Sequence, residues 1–539
     1  MLADNQQPER YLERVDRALP EFRISADKFI LWTLTLYFGA VPVLSLLIEA
    51  VPIQVPHHIL LLFGLSSLIL AVTIVLSRLI VEGSLTLVIV LSTFNANLPV
   101  GSSAPWPGGM VNSIQAFLVP LLFIVIVLIF YYQRTHWKPT AVIGGIAFLF
   151  TIAVPVIVGT ADYPEPVLWF GLYFTAALLA FIISQWSTSM RKLSFERITA
   201  TFIGAVAGHS LWAIFQFYTQ GVVGLGPIGE GVANTITEIQ VPLIGVMGLN
   251  TNMGGFTGFS FTLAGLAVLA IPLTVYKAVF ARQQSHRYLY GLLSVLFPAV
   301  IFLSTSDAAR GAAIIGAVFF VIALFVGHFF KRESNVTAPQ LIQVAAVTGV
   351  VLLLLSVSVA SLAPVATTPS DSSQSSNPTG DSNPVSGIAS SDPADRPLFD
   401  TSNLGIRLSL ISVGLTIWLD HPIVGIGMFN FVKAGAGYGL PMLSDGVTYP
   451  IHNVPILILV GTGLIGLLSS IFWVAEVCNE FYRGIKSSLD GKWILSSATV
   501  SGITGLAALG MFDHLLVSNP EVLVPSFVVL GAAVGYTNR

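Results

Sequence analysis

Apolar runs long enough to cross a bilayer recur from one end of this sequence to the other. A helix needs about 20 largely apolar residues to span a hydrocarbon core ~30 Å thick. Inside that core every backbone polar group must find its partner within the chain, which leaves helices or closed barrels. The runs near 29–49, 58–77, 84–98, 113–131, 141–159, 168–186, 198–219, 255–278, 289–304, 312–329, 340–363, 453–477, 493–511 and 520–537 predict transmembrane helices. The third is short and the last two could be divided differently, so 12 to 14 spans are expected. Composition agrees: 9% of residues are charged and 54% hydrophobic, against roughly 25% charged in soluble domains. The expected fold class is all-α, a polytopic integral membrane protein. The single cysteine, Cys478, excludes an intrachain disulfide and any cysteine-based metal centre. The first 28 residues are polar, so the first span is read as an uncleaved signal anchor.

Sorting cations by side tests the span count, because cytoplasmic loops collect Lys and Arg. With the amino-terminal tail inside, that tail holds Arg10, Arg14, Arg17, Arg23 and Lys28. The following inside loops hold Arg78, then Arg134 and Lys138, then Arg191, Lys192 and Arg197. Next come Lys277, Arg282 and Arg287, then Lys331 and Arg332, then Arg483, Lys486 and Lys492, with Arg539 at the end. Of the 24 Lys and Arg, four remain outside: Arg310, Arg396, Arg407 and Lys433. The expected setting is the cytoplasmic (inner) membrane, multi-pass, with both termini cytoplasmic.

Four regions follow. Residues 1–28 form a cytoplasmic tail, in which 8–22 put Tyr11, Leu12, Val15 and Leu19 on one helical face, the pattern of an interfacial helix on anionic lipid. Residues 29–363 hold spans one to eleven, 364–452 form an external loop, and 453–539 hold the last three spans. Within the loop, 365–397 lack aromatics and are rich in Ser, Pro, Asp, Asn and Thr, which predicts a disordered tether. Residues 403–419 place Leu404, Leu408, Ile411, Leu415 and Trp418 at helical spacing, which predicts an interfacial helix carrying Arg407.

In so charge-poor a chain an ionisable group near the membrane is a functional candidate. Arg310 closes the polar run Ser304 to Gly311, which contains Asp307. Arg407 lies on the external helix, and His452-Asn453 stands at the outer mouth of span twelve. Each has a plainer reading: a headgroup anchor for Arg310, a snorkelling side chain for Arg407, a helix cap for His452-Asn453. Gly425-Ile426-Gly427 is a turn and not a nucleotide loop, since no strand precedes it. His209 in span seven reads as a packed, hydrogen-bonded helix contact, His57 and His58 as interfacial. His514 beside Asp513 is expected to face outside and to be placed to assist, with no independent support.

Together these residues resemble the O-antigen ligase and polymerase superfamily of membrane glycosyltransferases. His452-Asn453, nine residues and then Gly463-Leu464-Ile465-Gly466 resemble the family's His-Asn, Gly-x-x-Gly signature. Arg407, Trp418, Pro422, Gly425, Gly427 and Asn430-Phe431 resemble the Arg…Trp…Pro-Leu-x-Gly-x-Gly…Asn-Phe segment before it. Asp307 to Ala312 resembles the family's Ser-x-x-Arg-Gly-Ala turn. The resemblance covers about residues 250–535.

The resemblance implies transfer of a glycan from a polyprenyl diphosphate to an acceptor hydroxyl, inverting and metal-independent, without a cofactor. His452 would be the base, Arg310 and Arg407 would hold the diphosphate, Asn453 and Asp307 would contact the acceptor or position the others, and Gly463 and Gly466 would be the motif glycines. The chemistry fits: arginine matches phosphate with paired permanent donors, and a histidine is suited to take a hydroxyl proton near neutral pH. Expected partners are the polyprenyl-diphosphate-linked glycan donor, a lipid, glycan or protein acceptor, and membrane lipids, with no nucleic acid. An O-antigen-type polymerase and a protein O-glycosylating ligase remain open within the superfamily. Outside it stand a transporter or lipid-linked glycan flippase, which would carry ionisable groups along a midplane path, and a non-catalytic assembly partner.

Overall fold

The computed structural model describes residues 80–94, 97–98, 111–112, 140–189, 194–219, 236–241, 245–250, 254–255, 257, 260–304, 306–330, 336–361, 401–438, 440, 448–487 and 492–537. The fold is of the all-α class, that of a polytopic membrane protein whose spans are helices. The helices are α1 Ile80–Ser92, α2 Thr140–Val158, α3 Pro164–Ser189, α4 Phe195–Thr219, α5 Ser260–Phe280, α6 Gln284–Leu303 and α7 Asp307–Phe330. They continue with α8 Ala338–Ser361, α9 Thr401–Asp420, the short α10 Phe431–Ala434, α11 Val454–Ser487, α12 Lys492–Phe512, the short α13 Leu515–Ser518 and α14 Pro520–Thr537. Two antiparallel ladders, β1 Asn97–Leu98 with β2 Val111–Asn112 and β3 Ile236–Val241 with β4 Gly245–Asn250, lie in connections between helices.

Among the described residues ten helices are long and apolar enough to cross a membrane, and they coincide with ten of the expected spans. The expected span at 84–98 is a 13-residue helix, α1. The expected spans at 29–49, 58–77 and 113–131, the interfacial helix at 8–22, the tether at 365–397, Arg396, His57 and His58 lie outside the described residues. The 403–419 helix is α9, two residues longer at its start and one at its end than expected.

α14 is the most enclosed of these helices and α7 and α8 are among the least. Large apolar side chains such as Phe150, Leu168, Leu292, Phe329, Leu353 and Leu468 are exposed on the outside, as expected where the surrounding solvent is lipid. Aromatic rings tie α3, α11 and α14 together: Trp473 lies 5.0 Å from Phe527, and Phe174 meets both edge-on. Between α7 and α12 small residues let the backbones approach, the usual membrane solution when apolar burial gives no preference for protein over lipid. A Cβ on Gly316 would lie 3.0 Å from the Ser501 carbonyl, and one on Gly505 2.9 Å from the Ala312 carbonyl. The two helices are therefore antiparallel.

Helix ends that the charge ledger assigns to one side meet in the structure. Glu480 near the end of α11 accepts from Ala141 N at 3.1 Å and Gln185 Nε2 at 2.5 Å, and Lys277 pairs with Glu196 at 3.8 Å. The opposite ends, carrying Arg407, Asn453, Phe512 and Asn519, meet each other.

Candidate active site

The site is built around the carboxyl end of α12. A helix leaves its last carbonyls without intrahelical donors, and two elements distant in sequence supply them here. Asn453 Nδ2 donates to Met511 O at 2.9 Å, and Arg407 Nη1 donates to Phe512 O at 2.9 Å. A cation there also offsets the negative end of the helix dipole. Asn453 also N-caps α11, its Oδ1 accepting from Ile456 N at 3.0 Å. Pro455 fits in the first turn, where an amide would lack an intrahelical partner. Both ends of the Asn453 amide are thus engaged in fixing helix termini, with His452 one residue outside the cap.

His452 sits half-buried against His514, their ring centroids 4.9 Å apart at 59°. Its Nδ1 is buried and has no hydrogen-bond partner among the described residues. Burial lowers the His452 pKa below its ordinary value; the Asp513 carboxylate opposes this, Arg407 adds to it, and the Pro450 carbonyl opposes it. His514 is pushed down to about 4, chiefly by burial, with Asp513 acting against the shift. Both rings are therefore held neutral near neutral pH. Asp513 Oδ1 accepts from His514 N at 2.7 Å and Leu515 N at 3.3 Å, opening α13. One ligand-type atom from each of His452, Asp513 and His514 lies within 4.8 Å of the others, a spacing that would also suit a cation.

The motif glycines act through backbone geometry. Gly463 adopts φ 66° and ψ −169°, which breaks α11 in its first third and is a region open in practice only to glycine. In an unbroken helix Leu464 and Ile465 would donate to Val460 and Gly461. Here Leu464 N donates to Pro422 O at 2.9 Å and Ile465 N to Ile423 O at 3.3 Å. The released carbonyls of Val460 and Gly461 accept from Ile426 N at 3.0 Å and Gly427 N at 2.8 Å. The segment Pro422–Gly427 is thereby spliced into the helix, and the two amides and two carbonyls released by the break are all paired, as backbone near the hydrocarbon must be. Gly425 allows the approach: a Cβ there would lie 2.6 Å from Val460 O and Gly463 N. Gly466 faces Thr462 Oγ1 too closely for any side chain.

The segment is also tied to α2 and α3. Thr160 Oγ1 donates to Gly425 O at 2.8 Å, and the Asn430 amide exchanges hydrogen bonds with Tyr163 N at 2.8 Å and Tyr163 O at 2.9 Å. Phe429, at φ 65° the one non-glycine residue with positive φ among the described residues, packs its ring edge-on against Phe170. Lys433, another of the four cations expected outside, lies over the Tyr163 ring at 3.8 Å.

Arg310 stands in the first turn of α7, where Ser306 Oγ accepts from Ala309 N at 3.2 Å. Its side chain is 2% exposed, donating from Nη1 to Asp307 Oδ1 at 3.0 Å and from Nη2 to Phe302 O at 3.3 Å. Its Nε has no partner among the described residues. The antiparallel packing of α7 on α12 brings this turn toward the Phe512 end. From the Ala312–Gly505 contact to Phe512 is ~10 Å along the axis at ~1.5 Å per residue. No hydrogen bond or ion pair joins Arg310 to Arg407 or His452 among the described residues.

Of the residues singled out from sequence, the structure joins His452, Asn453 and Arg407 at one helix end and places Gly463 and Gly466 one splice away. Arg310 and Asp307 form a separate pair on the neighbouring helix. Sequence reasoning underrated His514 and gave no weight to Ser518, Asn519 and Thr262, which are linked to it; the only legible signal was Asp-His at the outer end of a span. His209 is the helix contact expected of it, its Nε2 2.9 Å from Thr93 Oγ1.

Residues 292–471 match the O-antigen ligase family model, Wzy_C. The matched segment, about a third of the chain, contains Arg310, Arg407, the spliced loop and the His452–Gly466 signature, and stops before His514. No curated protein matches the chain. Over residues 292–471 this chain is thus similar to the O-antigen ligase family.

Proposed function

We propose that the protein transfers a glycan from a polyprenyl diphosphate carrier to an acceptor hydroxyl at the external face of the cytoplasmic membrane, both termini lying in the cytoplasm. The observation that carries this reading is the meeting of His452 and Arg407 at the carboxyl end of α12, from elements 45 residues apart in sequence. The similarity of residues 292–471 to the O-antigen ligase family supports this reading.

In the reaction the acceptor oxygen attacks the anomeric carbon while its proton passes to His452. The bond from that carbon to the diphosphate breaks, and the diphosphate leaves with the electron pair. His452 suits the role because burial keeps it neutral, with a lone pair available. Arg407 places a permanent cation beside it, and Arg310, with an unpaired Nε–H, offers donors to the leaving phosphates. Asp307 holds Arg310 in position, and Asn453 holds His452 by fixing the helix ends on either side. The acceptor is a lipid, glycan or protein hydroxyl, and the same site serves a ligase, a polymerase or a protein-glycosylating enzyme.

Purified protein supplied with a polyprenyl-diphosphate-linked glycan and an acceptor tests this. His452→Ala and Arg310→Ala should each lower transfer by ~10²-fold or more while membrane insertion is retained, the scale expected for loss of one oriented catalytic group. Both variants transferring at the normal rate would refute the mechanism.

A further inference from the structure

The site contains a second histidine outside the segment that matches the family, and its hydrogen bonds favour one placement of its ring proton. His514 Nδ1 lies 2.6 Å from Ser518 Oγ. That hydroxyl also lies 2.9 Å from Asn519 Oδ1 and 3.1 Å from the His514 carbonyl. The Asn519 amide places its Nδ2 2.5 Å from the buried Thr262 Oγ1 and its oxygen toward Ser518. The serine has one proton. Spent on His514 Nδ1, it would leave Ser518 Oγ against two carbonyl oxygens with no hydrogen between them. Spent on either carbonyl, it leaves Oγ to accept from the imidazole. The bonding is consistent when His514 carries its proton on Nδ1 and keeps a lone pair on Nε2.

That ring stands against His452, 4.9 Å between centroids. The nearest ligand-type atoms of the two rings and of Asp513 lie within 4.8 Å, a separation one water spans with ordinary hydrogen bonds. The geometry points to His514 as a positioning residue for the transfer reaction: its Nε2 lone pair accepts, through a water, the N–H of His452, which fixes the His452 tautomer and leaves the other His452 nitrogen free to take the acceptor's proton. Partner groups of this kind set the orientation and basicity of a working histidine. When His452 becomes the imidazolium, the same hydrogen bond strengthens. His514 remains the acceptor because burial keeps it neutral. The charged and titratable groups acting on it are Asp513 from its own turn, His452 from the start of α11 and Arg407 from α9.

This inference rests on His452 as the base, and its test separates the two ideas. Full-length protein in proteoliposomes is assayed for transfer from a polyprenyl-diphosphate-linked sugar across pH. His514→Ala should lower kcat by ~10-fold or more, leave KM for the donor unchanged, and move the acid limb to lower pH, because the His452 imidazolium loses an acceptor. His514→Gln, whose amide oxygen can accept, should recover part of kcat. Ser518→Ala, which leaves the tautomer unfixed, should lower kcat less than His514→Ala without changing the thermal unfolding temperature. A wild-type kcat and pH profile for His514→Ala, with His452→Ala inactive, would overturn the inference and leave the proposed function standing. Full activity of His452→Ala would instead overturn the proposed base. Dialysis against EDTA should leave the rate unchanged; a loss restored by Zn²⁺ would assign the three residues to a cation and overturn the positioning role.

Discussion

Replacing Gly463 with Ala tests whether the motif glycines serve the splice in α11. At φ 66°, ψ −169° the residue occupies backbone space that costs an L side chain ~1–3 kcal/mol. The new Cβ would also overlap the Ile423 carbonyl group and lie 2.5 Å from Val424 N, both backbone and unable to rotate away. The chain has two responses. Keeping the break, it bears the strain and pushes Pro422–Gly427 off the helix. Straightening, α11 recovers two helix bonds but abandons the amides of Ile426 and Gly427 and the carbonyls of Pro422 and Ile423, each costing ~1–3 kcal/mol if buried unpaired. The cheaper response costs ~3–5 kcal/mol, or on the order of 5–10 °C in unfolding temperature at ~2 °C per kcal/mol for a large chain. Thermal unfolding of the detergent-solubilised protein, followed by size-exclusion chromatography, reads this directly. Gly349→Ala is the internal control: in α8 a Cβ meets nothing within 4 Å, and the change should be neutral or stabilising by ~0.5–1 kcal/mol. Equal unfolding temperatures for Gly463→Ala and the parent would refute the splice as the reason for the glycine.

Other expectations follow from the same geometry. Arg407→Gln removes a cation that disfavours the His452 imidazolium, so the His452 pKa should rise and the acid limb of the rate profile move to higher pH. Asp513→Asn keeps the acceptor for His514 N and Leu515 N but removes the charge favouring the imidazolium, so that limb should move to lower pH. Opposite shifts in these two variants, read from kcat/KM against pH, are the required outcome, and shifts of the same sign would refute the electrostatic account. Asn453→Ala should cost ~1–3 kcal/mol, combining a lost N-cap with an unpaired Met511 carbonyl. Asn453→Asp should recover little in thermal unfolding, since it restores the cap while facing the negative end of α12 with an anion.

Ten spans were legible because a bilayer imposes length and apolarity locally, on each helix separately. The segregation of helix ends was legible for a related reason: charge resists transfer across hydrocarbon, so Glu480, Gln185 and the start of α2 meet at one end and Arg407, Asn453 and Phe512 at the other. The continuous span expected over 453–477 is broken at Gly463, and that was not legible. A glycine in an apolar run looks the same whether it eases packing or takes a positive φ, and the difference lies in a loop some 40 residues earlier in sequence.

By itself, then, the sequence determined the class of solvent, the helical fold, most of the spans and a short set of residues, Arg310, Arg407 and His452, whose place at span ends away from the cation-rich loops called for a reason. Only the tertiary structure decided which of them work together. It joined Arg407 to His452 through the carboxyl end of α12, set Arg310 apart against Asp307 on α7, and brought His514 to the His452 ring. The physical reason is that hydropathy and charge act on each segment against the membrane, whereas hydrogen bonds at helix ends and ring contacts act between segments whose separation in sequence carries no trace of them.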